Sequence, residues 1–318
     1  YPAVAYNSQD DEYLVVWHDR QGTTRKIYGQ RVSGTGVLVS YRFAIPGGGN
    51  KQWRPAVAYN PARNEYLVVW QSTHTSSIYG QRLSAAGYML NQPFAIATGL
   101  LSQLGKVLVA YSEISGEYLV TWTQLTAHQG DIYGQRLSAV GTLQGERIPV
   151  CNQRADQRLS GMAYDVEHNR YLVVWSDARN SASSDIDVYG QLVAGDGQLL
   201  GANIPISTAP SWQYAGGVSY NAALDDFLVV WADGTYMASR NDIRGQRVYY
   251  TGEVIGPVLD VKSYVQNQHA PQVAWDRFRD RYLLIWEDWR NRTSGVPNGD
   301  LYGQLFKTTP VPPTATPT

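Results

Sequence analysis

The sequence has little cysteine, no long apolar run and no excess charge of either sign. Its single cysteine, Cys151, excludes an internal disulfide and a cysteine-rich metal site. No apolar run approaches the ~20 residues that a membrane-spanning helix needs. Lys and Arg number 26 against 27 Asp and Glu, so the basic surplus of a nucleic-acid-binding protein is missing. We therefore expect no cofactor, no metal ion, no nucleic-acid partner and no membrane span.

Phe and Met are also scarce, whereas the other aromatic residues are abundant. The chain has 5 Phe and 3 Met but 23 Tyr and 10 Trp in 318 residues. Aromatic side chains with a polar group suit half-buried strands, and they also suit surfaces that face sugars. With 43% hydrophobic residues, the chain is able to bury a substantial core.

One segment recurs along the whole chain. Its best copy is Pro55–Ile96, and it recurs at intervals of 52 to 56 residues. Six tryptophans close its LVVW-like run: Trp17, Trp70, Trp122, Trp175, Trp231 and Trp286. A Gly-Gln pair follows each of them, with the glutamines at Gln30, Gln81, Gln135, Gln191, Gln246 and Gln304. A fixed period of this length is typical of repeat architectures.

Each copy contains four short runs rich in β-branched and aromatic residues, separated by turn formers. A glycine precedes the fourth run in five copies, as at Gly36 and Gly87, and predicts a turn with positive φ. The second run is almost continuously apolar, which predicts a strand buried on both faces.

The pattern predicts an all-β fold, a six-bladed β-propeller of four-stranded antiparallel blades. The predicted blades cover about residues 1–48, 49–99, 100–152, 153–208, 209–264 and 265–306. The last blade lacks its outer strand, and an extended Thr/Pro-rich tail or linker covers residues 307–318.

The repeat region resembles the bacterial extracellular sialidase-like propellers that carry Asp-box repeats. The resemblance rests on the first strand Arg54–Ala58, the segment Trp175–Arg179 and the turn Ser33–Gly36 with its copies. It implies an arginine cluster for a substrate carboxylate, with Arg54 at the position of the family's first arginine. The other recurrent arginines (Arg31, Arg82, Arg136 and Arg247) follow the repeat, which indicates a structural role.

Loops between the second and third strands, and links into the first strands, vary most among the copies, and functional residues concentrate on such loops. The predicted ligand-binding residues there are Trp53, Arg54, Trp212, His269 and Trp289. Indole rings could stack on sugars at this face. The alternative is that they only pack between loops.

The C-terminal tail has two predicted roles. As a segment for assembly it comprises Thr308, Thr309, Pro310, Val311, Pro312 and Pro313. As a carrier of O-glycans it offers Thr308, Thr309, Thr314, Thr316 and Thr318. Asn291 begins the N-glycosylation sequon of the chain.

These features favour a non-catalytic, extracellular bacterial surface protein that assembles with itself, through the tail and the open edge of the last blade, into a fibre. No catalytic residue or enzymatic activity is predicted, because no carboxylate pair stands out from the repeat. A carbohydrate-binding propeller with glycan partners is the first alternative. A sialidase-like glycoside hydrolase is the second.

Overall fold

The computed structural model describes residues 2–100, 103–125, 129–181, 185–234, 241–262, 267–290 and 299–308. The described residues form 23 β-strands, which we group into six repeats. The strands of repeats 1 and 2 are β1 Pro2–Asn7, β2 Glu12–Gln21, β3 Thr24–Ser33, β4 Phe43–Ile45, β5 Gln52–Asn60, β6 Glu65–Ser72, β7 Ser77–Ser84 and β8 Phe94–Ala97. Those of repeats 3 and 4 are β9 Gln103–Ser112, β10 Glu117–Leu125, β11 Gly130–Ser138, β12 Leu143–Cys151, β13 Gln157–Asp165, β14 Arg170–Asp177, β15 Asp185–Ala194 and β16 Leu199–Ser207. Those of repeats 5 and 6 are β17 Ser211–Asn221, β18 Asp226–Gly234, β19 Asn241–Tyr249, β20 Val254–Lys262, β21 Gln268–Asp276, β22 Arg281–Asp288 and β23 Asp300–Phe306.

The strands of a repeat pair with their sequence neighbours. Repeats 1, 2 and 3 are separate four-stranded sheets, each in sequence order. Repeats 4 and 5 share an eight-stranded sheet, because Asp185 and Ile186 of β15 pair in parallel with Ser211 and Trp212 of β17. Among the described residues, repeat 6 has three strands. The predicted all-β class of small antiparallel sheets is confirmed, and no described helix could cross a membrane.

The chain divides into two compact units, one of residues 1–159 with 193–199 and the other of residues 160–192 with 200–318. Within each unit the cores lie between successive repeats. In the first, Leu14 and Val16 of β2 pack with Val68 and Trp70 of β6. In the second, Leu228 and Val230 of β18 form the equivalent core with strand β22. A sheet face is therefore buried where the next repeat covers it.

The second strands follow this rule, which corrects one expectation. Strands β6, β10, β14 and β18 are buried along most of their length, as predicted. Strands β2 and β22 are not, since their burial alternates along the strand. Tyr13 is 38% exposed where its counterpart Tyr66 is fully buried, and Leu283 is 45% exposed. The cause is that one face of β2 and one face of β22 are left uncovered.

The predicted glycine turns are confirmed. Gly36, Gly87, Gly141, Gly197 and Gly252 all have positive φ, between 87° and 96°. A side chain at such a φ is strained, which explains the glycine in this turn.

A carboxylate–arginine pair joins the second and third strands of four repeats. The pairs are Glu12–Arg31, Glu65–Arg82, Glu117–Arg136 and Asp226–Arg247. The predicted structural role of these arginines fits the pairs. Repeats 4 and 6 differ at the same positions. The second strands carry an arginine in place of the acid, and the third strands carry a leucine in place of the arginine: Arg170 and Leu192 in repeat 4, Arg281 and Leu305 in repeat 6. Each of these second-strand arginines lies 3.8 Å from the aspartate that ends the first strand of its repeat, Asp165 or Asp276.

The buried side chain of Gln52 ties repeat 2 to repeat 1. Its Oε1 accepts a hydrogen bond of 2.8 Å from the Ile27 amide, and its Nε2 donates to the carbonyls of Ile45 and Gly47 at 3.1 and 2.7 Å. The amide thus satisfies three backbone groups between two sheets.

We expect Gln52→Ala to lower the free energy of unfolding by about 1–3 kcal/mol, because it leaves buried backbone groups without a partner. Urea denaturation measures the change. The control is Gln21→Ala, at an exposed strand end, which should alter stability by less than about 0.5 kcal/mol. Equal effects of the two substitutions would contradict this role for Gln52.

Candidate functional site

The predicted ligand-binding residues lie where first strands begin and second strands end. Several first strands are irregular there: the register shifts between Trp53 and Ala56 in β5, and between His269 and Gln272 in β21. Arg54 and Ala270, inside these bulges, both have a φ of 47°. Bulges re-aim side chains and are common next to functional sites.

In the second unit, His269, Glu287 and Trp289 form what we call the His-Glu-Trp cluster. His269 and Glu287 face each other across β21 and β22. The rings of His269 and Trp289 lie 5.1 Å apart, and Trp289 Nε1 donates a hydrogen bond of 2.9 Å to Glu287 Oε1. The Trp289 amide also donates to the Asn267 carbonyl at 3.1 Å, which fixes the segment after β22.

The environment of the cluster sets the charge and position of its groups. Burial lowers the pKa of His269, and the negative charge of Glu287 acts in the opposite direction. Asn241 Nδ2 lies 3.4 Å from His269 Nδ1, so the imidazole contacts an amide on its other side. Glu287 is exposed and lies against Gly299, where a Cβ atom would fall 2.2 Å from its Oε1. The carboxylate is thus held in place yet open to a ligand.

A second carboxylate of the same unit, Asp233, lies at the end of β18. Ser211 Oγ donates to it at 2.5 Å, and Arg244 Nε lies 3.5 Å away. Trp212 is the second residue of the neighbouring strand β17, and its ring lies 5.8 Å from that of Tyr214. Gly234, the residue after Asp233, pairs with both Trp212 and Asn241. Asn241 therefore connects this region to His269.

The first unit has a different, cationic cluster around Trp53. Arg25 lies over the indole at 3.7 Å, and the His18 ring lies 5.3 Å from it. Burial lowers the pKa of His18, and the charges of Arg25 and Arg54 lower it further. Burial, together with the charge of Arg54, also lowers the pKa of Lys106 to about 8. This arrangement favours an anionic or electron-rich group.

Replacing Lys106 should reveal the cost of its charge. Its pKa falls from 10.5 to about 8 in the folded chain, so between these values the unfolded state binds more protons and stability rises with pH. We expect Lys106→Met to raise the free energy of unfolding at pH 7 by about 1–3 kcal/mol. This gain in the free energy of unfolding should disappear above pH 10.5, where Lys106 is neutral in both states.

Denaturation of both proteins at pH 7 and in alkaline buffer measures this difference. Lys51→Met, at an exposed lysine, is the matched control and should show no such pH dependence. A gain that is the same at both pH values would contradict the account of Lys106.

The structure brings only some of the predicted residues together. Trp53 and Arg54 belong to the first unit, whereas His269 and Trp289 share a cluster in the second unit and Trp212 reaches it through Asn241. Sequence reasoning missed Glu287 and Lys106. It assigned Asp233 a structural role, because an aspartate recurs two residues after the tryptophan in four repeats. Thr308 lies two residues after the end of β23. The other predicted sites of the tail and the sequon lie outside the described residues: Asn291, Thr309, Pro310, Val311, Pro312, Pro313, Thr314, Thr316 and Thr318.

Other recurrent aspartates have structural contacts. Asp177 and Asp288, both fully buried, accept hydrogen bonds of 2.7 and 3.2 Å from the indoles of Trp175 and Trp286. Each also accepts a bond from the backbone amide two residues later. They fix the exits of the second strands.

Among the described residues, one group has metal-ligand spacing: Asp165, His168 and Asp225. His168 Nδ1 lies 2.9 Å from Asp165 and 3.4 Å from Asp225. Asp165 and His168 lie at the turn between the first and second strands of repeat 4, and Asp225 lies in the same turn of repeat 5. Both turns are at the strand ends opposite the clusters above. At the same positions in repeats 1 and 2, Asn7 hydrogen-bonds Asn64 at 2.9 Å. We therefore assign Asp165, His168 and Asp225 to a turn contact between repeats.

Comparison with solved structures identifies the fold class. The chain is similar to the α-L-arabinofuranosidase Arb93A from Fusarium graminearum, in complex with an iminosugar inhibitor, with a TM-score of 0.61, 12% identity and coverage of 96% of this chain and 92% of that one. An α-L-arabinanase from Penicillium chrysogenum, complexed with arabinobiose, has a TM-score of 0.53 and 14% identity, and the match covers 81% of this chain and 80% of that one. AofleA from Arthrobotrys oligospora has a TM-score of 0.58 and 11% identity, with coverage of 97% of this chain and 83% of that one. Searches with the sequence against family models and curated proteins find no match.

These neighbours place the chain among all-β folds of the propeller type. They also correct the functional expectation. The predictions of a non-catalytic, self-assembling structural subunit and of no enzymatic activity are wrong, because the structural neighbours include glycoside hydrolases. The resemblance to the sialidase-like family is not shown, because no family model matches the chain.

Proposed function

We propose that this chain is a glycoside hydrolase whose sugar-binding site is the His-Glu-Trp cluster of the second unit. The observation that carries the proposal is the exposed carboxylate of Glu287, held at 2.9 Å by the Trp289 indole beside an imidazole whose pKa burial lowers. A tryptophan face next to a carboxylate suits a sugar, because the ring stacks on its C–H surface while the oxygens accept hydrogen bonds from its hydroxyls.

Glycoside hydrolysis uses two carboxyl groups, and we assign these roles to Glu287 and Asp233. Asp233 accepts a hydrogen bond of 2.5 Å from Ser211 Oγ and lies 3.5 Å from Arg244 Nε. Glu287 lies in the open part of the cluster. We assign Glu287 to proton transfer at the glycosidic oxygen and Asp233 to the role of the second carboxylate in the reaction.

The substrate class follows from the neighbours and from the first unit. Arabinofuranosyl glycans are the first candidates, because two of the similar structures are an arabinofuranosidase and an arabinanase. Sialosides are the second, because the cationic cluster around Trp53 includes Arg54, where the sialidase-type resemblance expects a carboxylate-binding arginine. We further propose that the repeats form a six-bladed propeller and that the protein is extracellular.

Release of reducing sugar from arabinan, arabino-oligosaccharides and sialosides tests the proposal. We expect turnover of at least one substrate by the purified chain, and its loss in Trp289→Ala. Trp53→Ala, in the first unit, tests the cationic cluster around Trp53 separately from the His-Glu-Trp cluster. Binding of a glycan without turnover at any pH between 4 and 8 would overturn the assignment as a hydrolase.

A further inference from the structure

Strand β23 ends its sheet differently from the other third strands. Strands β3, β7, β11, β15 and β19 each pair with a fourth strand of their own repeat. Among the described residues, β23 pairs only with β22. Its side chains are mostly exposed, including Leu301 at 75% and Leu305 at 51%. An edge of this kind is a template for a further strand.

The complete repeats show what such an edge binds. A glycine of the third strand lies opposite an apolar residue of the fourth: Gly29 faces Phe43, Gly80 faces Phe94, Gly134 faces Ile148 and Gly245 faces Leu259. A Cβ atom on Gly29 or Gly80 would lie 2.7 or 2.8 Å from the phenyl ring. The glycine thus makes room for a large apolar side chain.

The glutamine after this glycine provides a second contact. Its side-chain amide donates to a backbone carbonyl at the start of the fourth strand or in the segment just before it. Gln81, Gln135, Gln191 and Gln246 bond in this way to the carbonyls of Asn91, Gln144, Leu200 and Ile255, at distances from 2.8 to 3.0 Å. Gln30 bonds likewise to the carbonyl of Ser40.

Repeat 6 keeps both elements, and the part of the chain that the structure describes contains no fourth strand to cover them. Gly303 and Gln304 occupy the same positions in β23, and the three atoms nearest to a Cβ atom built on Gly303 all belong to β22. Gln304 is exposed, and within the described part of the chain its side chain makes no hydrogen bond. A groove of about 320 Å³ lies between β20 and β23, lined by residues that include Leu259, Val261, Gln304 and Phe306.

We propose that the edge of β23 is a binding site for an extended peptide segment of a partner protein. The segment places an aromatic or β-branched side chain over Gly303 and accepts the Gln304 amide with a backbone carbonyl. Its remaining backbone adds a strand to the sheet, as in other cases of strand addition. The chemistry of the partner is therefore that of the chain's own fourth strands.

Binding of a synthetic peptide tests this site. The peptide has the sequence of residues 40–47, SYRFAIPG, and carries a fluorophore for anisotropy measurements with the full chain. We expect saturable binding that weakens at least tenfold when Asp replaces its phenylalanine. Gln304→Ala should weaken binding about five- to tenfold, by loss of one hydrogen bond. Gln81→Ala, in a repeat that already has its fourth strand, should leave peptide affinity unchanged.

Hydrogen exchange locates the bound peptide. Its addition should protect amides of β23 and leave those of β11, which is already paired, unchanged. Three results would overturn the proposal: no saturable binding, equal affinity for Gln304→Ala, or binding only after removal of residues 309–318. Self-association of the chain in sedimentation, accompanied by loss of peptide binding, would also overturn the proposal. A second copy of the chain would then be the occupant of the β23 edge.

Discussion

Glu287→Gln is expected to reduce glycoside hydrolysis by about 10²–10⁴-fold, the contribution that a positioned proton-transfer group makes. The substitution keeps the size of the side chain and an oxygen that can accept from Trp289 Nε1. It removes the ionisable carboxyl group. Rates on the best substrate of the panel, measured as kcat and KM separately, should show the loss in kcat with KM changed by less than about threefold.

Two comparisons keep this prediction specific. Glu253→Gln alters an exposed glutamate of the same unit, in the turn between β19 and β20, and should leave the rate unchanged. Asp233→Asn should also reduce kcat, because both carboxyl groups are required. If Glu287→Gln keeps at least half of the parent activity, Glu287 has no role in proton transfer and the site lies elsewhere.

The sequence predicts the scaffold better than the site because the scaffold repeats. Each strand, each glycine turn and each arginine pair appears several times, so a pattern emerges without an alignment. The exposed faces of β2 and β22 were not predictable in this way, since Tyr13 and Leu283 match the pattern of buried positions. Their burial depends on whether another repeat covers them, which the local sequence does not encode.

The candidate site shows the opposite limit. His269 and Trp289 stood out because they break the repeat, and the structure does bring them within 5.1 Å. Glu287 lies between two recurrent residues, Trp286 and Asp288, and its sequence context is uninformative. Its functional value comes from the pairing of β22 with β21, which sets it opposite His269. Cross-strand neighbours of this kind are invisible along the chain.

Removing one partner of a repeated ion pair should have the largest effect on stability. We expect Arg82→Leu to lower the free energy of unfolding by about 2–4 kcal/mol, because it leaves the carboxylate of Glu65 with only the more exposed Arg63, 3.3 Å away, as an ionic partner. Arg82 Nε donates to Glu65 at 3.1 Å, and both side chains are only 11% exposed. Little water can replace the guanidinium.

The chain itself shows how to restore the lost stability. Repeats 4 and 6 combine a leucine at the Arg82 position with an arginine at the Glu65 position and an aspartate at the Asn60 position. In repeat 4 these residues are Leu192, Arg170 and Asp165, with the last two 3.8 Å apart. The free energy of unfolding of the triple variant Asn60→Asp, Glu65→Arg, Arg82→Leu should therefore be only about 1–1.5 kcal/mol below that of the parent chain. The reason is that the arginine at position 65 regains a carboxylate partner at position 60.

Urea denaturation of the parent, the single variant and the triple variant measures the recovery. The double variant Glu65→Arg, Arg82→Leu is the matched control: its arginine has Asn60 in place of an aspartate, so its stability should fall between the other two. A triple variant no more stable than Arg82→Leu would show that the three positions do not act together. The shared substitutions of repeats 4 and 6 would then have a cause other than charge pairing.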